Sequence, residues 1–161
     1  MISIDELLGM SENDRAKYLY DKALDIDERL DPEYEEMIKL NPEYACYYAE
    51  DIIEGRWEEA EKYIIKDSHW AYYYALNIIR GRWKEAEEII KKDPEQIYWY
   101  ALHVIEGRWE EAEEYIIKDS YWTYWYVKFI LNINIVKPEA FNYDSKSYSE
   151  YIKTKIKSTI G

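Results

Sequence analysis

Between residues 42 and 119 the apolar positions recur at helical spacing. Ala45, Tyr48, Ala49, Ile52 and Ile53 fall on one side of a helix, and Ala71, Tyr74, Ala75, Ile78 and Ile79 repeat that stripe further along. A shorter stripe follows each of these. Trp57, Ala60 and Ile64, then Trp83, Ala86 and Ile90, sit at i, i+3 and i+7, which predicts a second helix from about Trp57 to Lys66. The helix starts are marked by side chains that accept from free backbone N–H groups. Asn41 and Asp93 precede Pro42 and Pro94, and Asp67 and Asp119 precede Ser68 and Ser120. Gly55, Gly81 and Gly107 are expected to end the first helices in the left-handed conformation that glycine adopts without a Cβ clash.

These stripes belong to an internal repeat. Gly55-Arg56-Trp57, Gly81-Arg82-Trp83 and Gly107-Arg108-Trp109 recur with a period of 26 residues and no insertion. Glu59-Ala60-Glu61, Glu85-Ala86-Glu87 and Glu111-Ala112-Glu113 follow, and Tyr48-Ala49, Tyr74-Ala75 and Tyr100-Ala101 precede. A period of this length signals stacked supersecondary units, because one short helical hairpin cannot bury its own apolar face. The expected fold is all-α, a short α-solenoid of antiparallel helical hairpins. Within a single domain over 1–161, the repeats are 42–67, 68–93 and 94–119, with a partial repeat over 120–133. Residues 1–41 depart from the pattern and read as an N-terminal helical cap. Residues 134–161 end in a capping helix over Ser145–Ile160, with Tyr148, Ile152, Ile156 and Ile160 on one face. Four lysines against one glutamate make that helix basic, so the acidic body helps to hold it.

The pattern aromatic-Ala-x-x-Ile-Ile-x-Gly-Arg-Trp-x-Glu-Ala-Glu-x-x-Ile resembles short helical repeats in proteins of large-genome bacteriophages and giant viruses. The resemblance covers about 42–133. Those repeats often carry proline where this chain has Glu58, Lys84 and Glu110, and both choices suit a first helical turn. The resemblance implies a viral setting, a host cytoplasm and a host or defence protein as partner. It implies no particular activity.

Composition narrows the function. No apolar run approaches the roughly 18 residues of a membrane span, and the first residues lack the basic-then-apolar order of a secretory signal, so the chain is expected to be soluble and cytoplasmic. A formal charge of −13 opposes direct binding to nucleic acid or anionic lipid. The single cysteine, Cys46, can neither close an intramolecular disulfide nor complete a cysteine zinc site. His69 and His103 have no second histidine at i+3 or i+4, and there is no glycine-rich phosphate loop or nucleophile turn. No metal, cofactor or catalytic residue is expected, and the protein reads as non-enzymatic.

Two residue sets remain. Arg56, Glu59 and Glu61 recur as Arg82, Glu85 and Glu87, then as Arg108, Glu111 and Glu113. Recurrence in every unit marks a structural requirement, since a catalytic group is needed once. The arginines are expected to bond glutamates of their own or the adjacent hairpin.

The second set lies opposite the core stripe of the first helices. It reads Tyr44, Tyr47, Asp51 and Glu54; Trp70, Tyr73, Asn77 and Arg80; Gln96, Trp99, His103 and Glu106; Trp122, Trp125, Phe129 and Asn132. Two interpretations stand side by side: an aromatic and acidic face for a protein partner, or rings that pack between neighbouring first helices. Two alternative functions also remain open. Rows of carboxylates could mimic a phosphate backbone toward a DNA- or RNA-binding enzyme, and a concave groove could take a small aromatic, cationic or nucleotide ligand, with Arg80 or His103 as polar contact. An exposed ladder would equally serve self-association into a homo-oligomer.

Overall fold

The computed structural model describes residues 2–142 and 144–160. Every regular element among them is helical: α1 (Ile4–Leu8), α2 (Glu12–Ile26), α3 (Pro32–Lys39), α4 (Pro42–Asp51), α5 (Glu58–Ile64), α6 (Ser68–Tyr74), α7 (Glu87–Ile90), α8 (Pro94–Tyr100), α9 (Glu113–Ile116), α10 (Ser120–Phe129) and α11 (Ser145–Ile160). The contacts cluster into two compact units, Met1–Ala86 and Glu87–Gly161.

The helix starts obey the cap chemistry. Asn41 accepts the Tyr44 N–H at 3.2 Å, and Asp67 accepts those of His69 and Trp70 at 2.9 and 3.1 Å. Asp93 accepts from Glu95 at 3.0 Å and Asp119 from Trp122 at 3.0 Å. Each bond satisfies a backbone donor that the helix itself cannot.

The helix ends do not follow the expectation for glycine. No described glycine has a positive φ; Glu54, Arg80 and Glu106, one residue earlier, take the left-handed conformation at φ 56°, 58° and 56°. The cause is a widening of the final turn. Ala75–Ile79 and Ala101–Ile105 are π-helical, continuing α6 and α8. Gly55, Gly81 and Gly107 then donate to the carbonyls of Ala49, Ala75 and Ala101 at 3.0, 3.1 and 3.0 Å, six residues back. The same turn recurs without glycine, where Asn132 sits at φ 53° and Ile133 donates to Val127 at 3.0 Å. A Cβ placed on Gly55, Gly81 or Gly107 would meet nothing within 4 Å. Nothing in the structure explains the glycines.

The second helices are shorter than Trp57–Lys66 would make them. α5 spans Glu58–Ile64, and in the later repeats a 3-10 turn over Lys84–Ala86 or Glu110–Ala112 leads into a single α-helical turn. The inward residues are nonetheless buried: Trp57, Ala60 and Ile64 in one repeat, Trp109, Ala112 and Ile116 in another.

In the unit Met1–Ala86, α4 packs on α2, α3, α5 and α6, and α5 packs on α3. Residues 1–41 therefore do more than cover an end: they hold a diverged copy of the repeat. Asp27 takes the left-handed position at φ 55°, and Arg29 grips Glu35 with two 2.8 Å bonds. Leu30 occupies the place that tryptophan holds elsewhere. In the unit Glu87–Gly161, α8 packs on α7, α9 and α10, and α10 on α11. α11 covers the residues expected of it, burying Tyr148 and Ile152, with Ile156 half-buried and Ile160 exposed. The Tyr148 hydroxyl donates to the Val136 carbonyl at 3.1 Å.

Candidate functional site

The recurring ions and rings build a polar latch. Arg56 binds Glu61 through Nε and Nη2, both at 2.8 Å, and Arg108 binds Glu113 at 2.7 and 3.0 Å. These are two-pronged pairs within one repeat, made to the second of the two recurring glutamates; Glu59 and Glu111 are exposed. The link to the next repeat is a tyrosine. Tyr74 accepts the Trp57 N–H at 2.6 Å and donates to Glu61 at 3.3 Å. Tyr126 does the same with Trp109 at 2.8 Å and Glu113 at 3.4 Å. Tyr48 does so with Leu30 at 2.8 Å and Glu35 at 2.9 Å. Tyr100 donates to Glu87 at 3.3 Å.

The same tyrosines pack on tryptophans of their own repeat: Tyr48 on Trp57 at 5.0 Å, Tyr74 on Trp83 at 5.1 Å and Tyr100 on Trp109 at 4.9 Å between ring centres. Burial, reinforced by Glu35, pushes the Tyr48 phenol up to about 12. Burial raises Tyr74 and Tyr126 in the same direction. All three remain neutral donors at physiological pH. Burial works to raise the Glu35 carboxyl, but the bonds from Arg29 and Tyr48 leave it below its ordinary value.

On the opposite face, Tyr44, Tyr47, Trp70 and Tyr73 are half-buried and form one ring cluster. Tyr47 lies 6.1 Å from Tyr44, 5.4 Å from Trp70 and 5.9 Å from Tyr73, the last two edge-on. Neighbouring first helices thus do meet through these rings, and each ring keeps an outer surface. Sequence reasoning missed one member: Tyr20 on α2 stands 5.9 Å from both Tyr44 and Tyr47. It belongs to the diverged copy, where no repeat motif marks it. Two carboxylates bound the cluster. Tyr20 donates to Asp51 at 2.5 Å and Tyr73 to Glu50 at 2.5 Å. Burial, then these bonds, raise both phenols well above their ordinary value. Beside the cluster lies an open cleft of about 500 Å³ that includes Glu50, Glu54, Asn77 and Arg80. Arg80 is exposed and turns its Nε to the Asn77 carbonyl at 3.3 Å.

In the unit Glu87–Gly161, Trp99, Trp122 and Trp125 are half-buried and His103 is exposed. His103 stacks flat on Trp99 at 5.3 Å, and Trp99 meets Trp122 at 6.2 Å. Tyr98 and Tyr121 complete a cleft of about 250 Å³ walled entirely by aromatic rings. Gln96, placed on the outer face by the helical wheel, is buried instead, and its Oε1 has no hydrogen-bond partner.

Other chemistry is sparse. Cys46 is buried, which pushes its thiol up and leaves it unreactive. Among the described residues no three of His, Cys, Asp and Glu are grouped to hold a metal, and no helix is long and apolar enough to cross a membrane. No known family, no curated protein and no solved structure matches the chain.

Proposed function

We propose that the chain is a non-enzymatic, acidic α-solenoid that binds a protein partner through the aromatic and acidic face of its N-terminal repeats. The observation that carries this reading is the ring cluster Tyr20, Tyr44, Tyr47, Trp70 and Tyr73 bounded by the carboxylates of Asp51 and Glu50. Tyrosine and tryptophan supply large contact area at low entropic cost and dominate interface energetics. The surrounding charge selects the partner. Residues up to Ala86 hold 21 acidic against 11 basic side chains, so a basic surface is favoured. The resemblance of the repeat to viral proteins supports a host or defence protein, in the host cytoplasm, as that partner.

Capture from host lysate with the wild-type chain and with Trp70→Ala tests the reading. The partner should be retained by the first and lost by the second, with only mild dependence on salt. Retention by both would reject the face. The charge concentration also favours a second reading, imitation of a nucleic-acid backbone. That reading requires competition by duplex DNA and a collapse of affinity between about 50 and 200 mM salt.

A further inference from the structure

The outward positions of the four first helices differ in one respect. In α4 the positions at i, i+4 and i+8 are Glu43, Tyr47 and Asp51; in the following repeat they are His69, Tyr73 and Asn77; in the third, Glu95, Trp99 and His103. In α10 they are Tyr121, Trp125 and Phe129. Of these four helices, α10 alone has an aromatic residue, tyrosine, tryptophan or phenylalanine, at all three. Tyr121 is 58% and Phe129 52% exposed, and the Trp125 ring between them lies 6.1 Å from Tyr121 and 5.4 Å from Phe129, stacked on the latter at 14°. The central ring of a first helix elsewhere meets rings of the next: Tyr47 meets Trp70 and Tyr73 of α6, and Trp99 meets Trp122 of α10. The rings packed on Trp125, those of Tyr121, Tyr124 and Phe129, belong to α10 itself.

The geometry points to a homodimer in which the Tyr121, Trp125 and Phe129 face of α10 packs on the same face of a second copy of this chain. Three observations favour a second copy over an unrelated protein. Tyr47 of α4 packs edge-on against Tyr73 of α6, the residues that hold the place of Trp125 in their own repeats, so rings at this register do pack on one another, and a two-fold contact would set the Trp125 face against its own copy. Charge permits the approach at this end: the unit from Glu87 onward has 13 acidic and 10 basic residues, close to balance, whereas the preceding unit is strongly acidic. The rim carries both signs. Lys128 Nζ stands 5.3 Å from the Phe129 ring centre, and Lys137 and Glu139 flank a small cleft on Tyr121 and Trp125. A two-fold rotation can therefore set lysines of one copy against glutamates of the other. Area sets the strength. An aromatic side chain buries about 150–250 Å² when wholly covered; with Tyr121 and Phe129 about half exposed and Trp125 half-buried, this face and the adjoining edges of Trp99 and Trp122 fall below the roughly 800 Å² per partner of an ordinary interface and suit a weak, concentration-dependent dimer.

Sedimentation equilibrium of the full chain from about 1 to 200 µM, a range suited to an interface of this size, tests the assignment. The expected result is a mass rising from 19.7 kDa toward twice that value. Tyr121→Glu with Phe129→Asp rebuilds the pattern that α4 carries at Glu43 and Asp51, so the helix should tolerate it. The pair should weaken the dimer at least about 30-fold with unchanged helical circular dichroism. Tyr121→His with Phe129→Asn, copying His69 and Asn77, is the substitute if the first pair misfolds. Asp51→Asn, on the face assigned to a foreign partner, should leave the dimer intact. A wild-type chain that stays at 19.7 kDa throughout, or a folded double variant that dimerises as the wild type does, would overturn the proposal.

Discussion

The Tyr74 hydroxyl sits 2.6 Å from the Trp57 N–H and 3.3 Å from the Glu61 carboxylate, so one phenol oxygen closes the repeat before its own. The Trp57 amide is buried at the head of α5, where no intrahelical acceptor exists. Tyr74→Phe removes that acceptor while keeping the ring. The expected cost is about 1–3 kcal/mol, the penalty for an unsatisfied buried donor. Arg56→Ala should cost less than about 1 kcal/mol, because the guanidinium is half exposed and its ion pair is screened. Urea unfolding of both variants checks the order.

The left-handed residues should be sites of easy stabilisation. Glu54 and Arg80 hold φ 56° and 58°, where a side chain carries a steric cost that glycine avoids. Glu54→Gly and Arg80→Gly should each gain about 1 kcal/mol. Gly81→Ala, in open space and without positive φ, should be neutral or gain about 0.4–1 kcal/mol through the unfolded chain. Thermal melts of the three variants would show it.

These two cases mark what the sequence could convey. Cap chemistry was legible because Asn41, Asp67, Asp93 and Asp119 act through their own side chains. The stop was misplaced because the π turn shifts the left-handed position one residue ahead of the glycine, and residue identity does not encode turn width. The copy of the repeat at the N-terminus was hidden. Its Arg29, Leu30 and Glu35 make the latch without the Gly-Arg-Trp signature, and Leu30 lies 27 rather than 26 residues before Trp57. Of the outer face, the wheel identified Tyr47, Trp70 and Trp125, but it missed Tyr20, which enters from that unmarked copy, and it left Gln96 outside when the side chain is buried. Tyr121 could have been found by comparing the outward positions of the four repeats.

Alkaline pH should open the latch. The Tyr48 phenol is raised to about 12, against about 10 in an unfolded chain. A raised value means the fold favours the protonated form, so the latch contributes fully below about pH 10 and is lost as pH rises through about 12. Tyr74 and Tyr126 shift the same way. Glu35 is lowered, so its contribution is present above the ordinary carboxylate range, about 4.3, and fades as pH falls below it. Helical circular dichroism followed from neutral pH in both directions should show a steep loss between about pH 10 and 12, reduced in amplitude by Tyr48→Phe.

Removing an inward tryptophan should be more damaging than any change on the outer face. Trp57 is buried against Tyr48 at 5.0 Å, and Trp57→Ala should cost about 3–5 kcal/mol. Trp70→Ala, on a half-buried ring, should fall well below that in the same urea titration.

The latch has a direction. Leu30, Trp57 and Trp109 find their acceptors 18, 17 and 17 residues later, in Tyr48, Tyr74 and Tyr126. During synthesis, each such segment leaves the ribosome with an amide that water must serve until the next helix emerges. A released chain truncated before residue 74 should therefore leave the Trp57 amide exchanging its proton freely.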